Sequence, residues 1–363
     1  MKLNINNLSY GFDDKVILDR LNLILDLDDH YVLTGAVGSG KTTLAEILSG
    51  YRCAQQGTIK LGGAVIDDPL CLVSKFGLIK QNLNNQRLFD DPVQEIIFSL
   101  ENRGIKPGDG KKILDKLIRE WDIKAGDNRD EMMLDNLNTL TASLLAAGKE
   151  FLIFDEVLVL LGAEHRKKFI RSVFNCHRGS LFITQYPQLV NHCNIKHLQV
   201  HEHNIEFAEP LFKSPVDFSD LNNFHHIRTR KELYELKAEL IRRGSKIQYL
   251  PYFAENYFYF NNLTEELAWS GILINAFMEK ALSAGIPEDF NERSPLSLSG
   301  GERRKLTYLI ALEINSDCLF IEHPLLYLDH QGLLWLKQIF SDYLDRGGHI
   351  YYYLPDSSLL SPL

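Results

Sequence analysis

At 363 residues the chain exceeds one ordinary domain and suits two, each with enough surface to bury a core. Its hydrophobic share of 45% and charged share of 24% are those of a globular protein, and a formal charge of −9 argues against an electrostatically driven nucleic-acid binder. The five cysteines, Cys53, Cys71, Cys176, Cys193 and Cys318, form no C-x-x-C pair, which fits a reducing compartment and neither a zinc site nor a disulfide frame. No apolar run reaches bilayer-spanning length, and the N-terminus lacks a signal-peptide core. A cytoplasmic protein is expected, reaching the inner face of the cell membrane only through a membrane partner.

Residues 2 to 8 and 16 to 25 alternate as strands do, and Tyr31-Val32-Leu33-Thr34 reads as a short buried strand. Directly after it, Gly35-Ala36-Val37-Gly38-Ser39-Gly40-Lys41-Thr42 fits G-x-x-x-x-G-K-[ST] at every fixed position. Glycines let such a loop turn its N–H groups inward around phosphates, and the following helix adds its positive end. Lys41 supplies a mobile cation for the β- and γ-phosphates of ATP, and Thr42 supplies a hydroxyl for Mg²⁺.

Further on, Phe151-Leu152-Ile153-Phe154 predicts a buried parallel strand ending in Asp155 and Glu156. Open α/β sheets place ligands at that end of the strand. Asp155 can reach Mg²⁺, and Glu156 can polarise the water that attacks a γ-phosphate.

These stretches, with Gly77-Leu78-Ile79-Lys80-Gln81-Asn82, resemble the Walker A, Walker B and Q-loop motifs of ABC ATPases. The resemblance implies an α/β P-loop fold, with Gln81 touching Mg²⁺ and the attacking water. It also implies that Ser39 and Thr43 join the loop's nucleotide contacts, and that Phe12, matched better than Tyr10, stacks on adenine. The run from Gln81 to Gly104 is similar to the ATPase subunits of energy-coupling-factor and cobalt-type importers.

The departures from the family pattern are informative. The LSGGQ signature is missing upstream of Asp155, where Glu131-Met132-Met133-Leu134-Asp135 stands, the D-loop aspartate position holds Gly162, and the switch histidine is replaced by Gln185. A seam is expected near residues 207 to 220, marked by Pro210, Pro215 and Ser219. Residues 230 to 243 then predict an amphipathic helix stopped by Gly244, with Arg230, Lys231, Arg242 and Arg243 on a solvated face.

No second P-loop follows, yet Leu298-Ser299-Gly300-Gly301-Glu302 is an intact signature opening a helix from Arg303 onward. It precedes a Walker-B-like strand, Cys318-Leu319-Phe320-Ile321, which ends in Glu322 and His323. Tyr252 holds the Q-loop position and Pro355 the switch position, while the D-loop aspartate is kept as Asp329. His201 and His203 in the HEHN run read as a solvated hairpin turn and not as ligands.

The expected organisation is therefore an ABC nucleotide-binding domain over 1–212 and a truncated, degenerate ABC module over 213–363. The resemblance implies a head-to-tail pseudo-dimer within the chain, with one composite ATP site in which Ser299, Gly300, Gly301, Glu302 and Asp329 face the nucleotide held by Lys41. A homodimer would serve the same site only by exchanging halves, and higher oligomers stay open. Three functions remain: motor subunit of a membrane importer for vitamins or transition-metal ions, soluble ABC ATPase in regulation, repair or defence, and non-hydrolysing ATP clamp.

Overall fold

A computed structural model describes residues 1–12, 15–124, 132–176, 178–190, 194–209, 216–291 and 293–360. The chain divides into two compact units, Met1–Phe212 and Lys213–Leu363. Of the residues expected to mark the seam, Pro210 and Pro215 lie outside the described residues, as do Glu131 and Cys193.

The first unit opens with long strands β1 (Lys2–Phe12) and β2 (Lys15–Asp26), then β3 (His30–Thr34), helix α1 (Lys41–Leu48), β4 (Gln56–Leu61) and β5 (Ala64–Val65). Strands β2, β1, β4 and β5 form an antiparallel sheet in that order. Their period-two alternation turns Leu3, Ile5, Leu8, Leu21, Leu23 and Leu25 to the core and leaves Ile24 exposed.

Helix α2 (Pro69–Lys75), β6 (Phe76–Ile79), α3 (Pro92–Asn102), α4 (Pro107–Glu120) and α5 (Met132–Ala146) follow. The unit closes with β7 (Phe151–Asp155), α6 (Ala163–Asn175), β8 (Gly179–Ile183), β9 (Ile195–His201) and β10 (Asn204–Phe207). A six-stranded sheet runs β10-β9-β3-β8-β7-β6, parallel except for the terminal β9–β10 hairpin. All five residues of β7 are buried, as a strand covered on both faces requires. His203 lies in the β9–β10 turn at φ 67.

The second unit contains β11 (Phe224–Ile227), α7 (Arg230–Arg242), β12 (Ile247–Leu250), α8 (Leu263–Trp269) and α9 (Ile274–Ser283). It continues with α10 (Gly300–Glu313), β13 (Cys318–Glu322), α11 (His330–Asp345) and β14 (His349–Tyr353). Its sheet runs β11-β14-β13-β12, all parallel.

That order repeats β3-β8-β7-β6 of the first unit, and three of the four matched pairs agree in length. Strands β6 and β12 have 4 residues, and β7, β13, β8 and β14 have 5. The residue after β7, Glu156, has φ 54, and the residue after β13, His323, has φ 56. Both strands thus leave the sheet through the same sparsely populated backbone turn.

A second repeated device fixes the register. Buried Glu95 accepts from the N–H groups of Leu88 and Phe89 at 2.8 and 2.9 Å, and buried Glu266 accepts from Tyr259 and Phe260 at 2.9 and 3.0 Å. The units differ after their first parallel strand. Strand β3 leads through Gly35–Gly40 to α1, whereas β11 reaches α7 after Arg228 and Thr229 alone, with Thr229 and Glu232 forming a capping box. Among the described residues, the second unit has no antiparallel sheet.

Candidate nucleotide site

Helix α1 starts at Lys41 behind Gly40, whose φ of 93 belongs to the left-handed region. A Cβ there would come within 2.9 Å of Ile17 Cγ2, so both conformation and space demand glycine. Lys41 is 7% exposed, and its Nζ donates to the carbonyls of Gly35 and Ala36 at 2.8 and 2.7 Å. The cation is thus held within the loop that precedes it. Gly38 and Thr42 are exposed, Gly35, Ser39 and Thr43 are half-buried, and Ser39 Oγ makes no hydrogen bond.

The Thr42 hydroxyl donates to Asp155 Oδ2 at 2.8 Å, which joins the first turn of α1 to the end of β7. Asp155 Oδ1 is buried with no hydrogen-bond partner. Burial pushes the Asp155 pKa up against the opposing pull of Thr42 and Lys41. A buried carboxylate oxygen with an open lone pair and a threonine hydroxyl are hard oxygen ligands suited to Mg²⁺, and the nearby lysine cation suits phosphate. The residues present therefore fit a Mg-nucleotide.

Glu156 is pushed up to about 8, first by burial and then by the neighbouring Asp155 charge, with Lys41 and hydrogen bonds from Gln185 N–H and Thr184 acting against them. The side-chain Oε1 of Gln185, two residues past the end of β8, is buried with no hydrogen-bond partner. Gln81, just past β6, is 8% exposed. Phe12 is 43% exposed, with Tyr10 edge-on at 5.1 Å and the Arg52 guanidinium 4.9 Å from its ring centre. One face of this expected adenine platform is thus already covered by a cation. Arg52 also pairs with Glu46 of α1.

In the second unit α10 begins at Gly300, three residues earlier than the sequence suggests. Ser299 caps it: its Oγ accepts from Glu302 N at 3.3 Å and its N–H donates to Glu302 Oε2 at 2.9 Å. A Cβ on Gly300 would fall 2.5 Å from the Tyr327 ring, and Gly301 is buried. Asp329 accepts from Gly332 N at 2.8 Å as the cap of α11, whereas Gly162, at the start of α6, offers no side-chain cap.

Arg230 is not on a solvated face. It is the first residue of α7, as Lys41 is of α1, and its Nε lies 3.5 Å from Glu322 Oε2, with side-chain exposures of 22% and 4%. Its guanidinium sits 4.8 Å from the Tyr252 ring and 5.5 Å from that of Tyr353. The hydroxyls of Tyr249, at 2.5 Å, and Tyr234 both donate to Glu322 Oε1. Fully buried Arg304 of α10 donates to the carbonyls of Pro251, Glu322 and His323 at 2.8, 2.8 and 3.0 Å. Sequence reading missed both arginines, because an isolated arginine reads as surface.

Residues 18–158, which span β3, the loop, α1 and β7, match the family model described as ABC transporter. That stretch of the first unit is similar to the ABC transporter family. The chain is similar to curated proteins called energy-coupling factor transporter ATP-binding protein EcfA1. That of Fusobacterium nucleatum is 28% identical over 175 residues, covering 47% of this chain and 66% of the relative. That of Mesomycoplasma hyopneumoniae (strain 7448) is 30% identical over 153 residues, covering 41% and 56%. The matches to these two thus span less than two thirds of the relatives' own length. Among solved structures, CbiO1 of Clostridium perfringens, described as part of the ABC transporter complex CbiONQ, shares the fold with a TM-score of 0.51. It is 18% identical and covers 56% of this chain and 86% of that one. The second unit lies beyond the residues the family model matches.

Proposed function

We propose that the chain is an ABC-class motor that binds and hydrolyses Mg-ATP at the Lys41 loop and energises a membrane-embedded importer of the vitamin or transition-metal type. The observation that carries this reading is the Thr42–Asp155 link with its open, buried Asp155 Oδ1. Lys41, released from the Gly35 and Ala36 carbonyls, would neutralise the terminal phosphates, and Thr42, Asp155 and Gln81 would hold Mg²⁺. Bound Mg-ATP supplies the phosphoryl group and the charge that closes the site. Glu156 would orient the attacking water, and Gln185 would offer an amide where relatives of this class carry a histidine. The likeness to energy-coupling-factor ATP-binding proteins supports the importer partner. No helix among the described residues is long and apolar enough to cross a membrane, so the membrane element would come from that partner.

The second unit, in this reading, is a degenerate ABC module over 213–363. The repeated strand order, the matching turns at Glu156 and His323, and the paired Glu95 and Glu266 clamps support it. It would serve the ATP held by Lys41 through Ser299, Gly300, Gly301, Glu302 and Asp329 as the other half of an intrachain pseudo-dimer. That part rests on the sorting of the sequence losses, because the first unit keeps the nucleotide-gripping groups and the second keeps those that serve a partner's nucleotide.

Glu156 near 8 and the neutral Gln185 favour a second reading, a clamp that closes on ATP without hydrolysing it. Calorimetric titration with Mg-ATP, paired with steady-state phosphate release, tests both. One site per chain with measurable release supports the motor, one site without release supports the clamp, and two equal sites overturn the single-site reading.

A further inference from the structure

Gln86 has no nucleotide role in the resemblance, yet it grips the segment carrying Gln81 from both sides. Its Oε1 accepts from Lys80 N at 2.9 Å, and its Nε2 donates to the carbonyls of Lys80 and Asn82, each at 2.7 Å. The pattern fixes the amide orientation, because an N–H must face oxygen and the two carbonyls must face nitrogen. One side chain therefore bonds the backbone immediately before and immediately after Gln81. A second anchor runs from Lys80 Nζ to Glu46 Oε1 of α1 at 2.6 Å, which ties the same segment to the helix behind the phosphate loop.

The second unit provides an internal comparison. In the register set by the matched Glu95 and Glu266 clamps, Tyr252 stands at the Gln81 position, Pro251 at Lys80 and Tyr257 at Gln86. Proline has no N–H to donate, and a tyrosine cannot both accept from a backbone N–H and donate to two carbonyls. The unit without the glutamine thus lacks both halves of the grip. The Pro251 carbonyl is taken instead by Arg304. Had the grip served only to fold the loop after the sheet, the second unit, which keeps the strand and the glutamate clamp, would have equal use for it.

We propose that Gln86 is a positioning residue for Gln81: it holds residues 80 to 82 so that Gln81 keeps its orientation toward the nucleotide-bound metal. This rests on the reading of Gln81 given above. Three backbone hydrogen bonds from one amide restrict the φ/ψ freedom of the gripped residue before any ligand arrives, which lowers the ordering cost at closure.

The test compares Gln86→Met, near in volume but without the hydrogen bonds, with wild type, and repeats the pair in a Gln81→Ala background. Gln86→Met should lower kcat by about tenfold while KM moves less than about threefold, and should add little once Gln81 is gone, as coupled residues do. Calorimetry supplies the readout apart from turnover: the gain in ATP affinity on adding Mg²⁺ should shrink in Gln86→Met. Should that variant not fold, Gln86→Asn, one methylene too short to span both carbonyls, is read in the same way. Equal losses in both backgrounds would assign Gln86 a purely structural role and overturn the proposal. A damaged Gln81→Ala beside an unaffected Gln86→Met overturns it alone, whereas a Gln81→Ala chain that behaves as wild type overturns it together with the reading of Gln81.

Discussion

Arg230 and Glu322 approach to 3.5 Å in the second unit at the topological positions that Lys41 and Asp155 hold in the first. In the first unit Lys41 and Asp155 belong to the proposed Mg-nucleotide site. In the second unit the six-residue loop is missing and the longer arginine pairs directly with the longer carboxylate. Tyr252 and Tyr353 flank the guanidinium, and the hydroxyls of Tyr234 and Tyr249 satisfy the other carboxylate oxygen.

Breaking this pair should be costly. Arg230→Met leaves Glu322 buried without its cation, and loss of one partner of a buried pair costs about 3–5 kcal/mol. Thermal unfolding should show a lower transition for Arg230→Met and for Glu322→Gln alone. The double variant should recover much of the loss, since removing both charges leaves neither stranded. Additive losses would show that the two charges act independently.

Lys41→Ala removes the phosphate cation while sparing the glycine turn. Nucleotide affinity should fall by about 1.5–3 kcal/mol, the scale of a hydrogen bond to a charged group. Calorimetric titration measures this directly, and an unchanged affinity would place the nucleotide elsewhere.

Glu156 gives a pH signature of definite sign. Its carboxyl is raised from 4.5 to about 8 by burial, so the folded chain prefers it protonated. The stabilising contribution is complete below 4.5 and is lost as pH rises through about 8. The nucleotide-free protein should therefore lose thermal stability across that window, and Glu156→Gln should flatten the loss. If Glu156 orients the attacking water as the ionised base, turnover should climb toward pH 8, and the glutamine variant should bind ATP but turn over far more slowly. A pH-independent melting difference between the two proteins would contradict the assignment.

Ser299→Arg should abolish hydrolysis and leave nucleotide binding at the Lys41 loop intact, while Met133→Arg on α5 should hardly affect turnover. Because Ser299 also caps α10, the serine change carries a cap loss of about 1 kcal/mol, which circular dichroism and melting must separate from the catalytic effect. Equal activity of the two variants would remove Ser299 from the ATP site.

The sequence by itself determined the elements whose signal is local. The loop from Gly35 to Thr42 is spelled by its glycines and lysine, the apolar run Phe151–Phe154 reads as a buried strand beside that loop, and Leu298-Ser299-Gly300-Gly301-Glu302 carries its own helix cap. The repeat between units was legible at Glu322 and Tyr252 for the same reason, since strand ends are marked by where apolar runs stop. Tertiary structure alone decided the fate of the isolated polar groups. Arg230 read as solvated because helical periodicity places it on the polar face, yet the missing loop sets α7 directly at the sheet's end and draws it onto Glu322. Arg304 follows the same logic, satisfied by the carbonyls of Pro251, Glu322 and His323. Burying such groups is unfavourable unless distant carbonyls or N–H groups satisfy them, and those partners are set by the packing of strands and helices far apart in the chain.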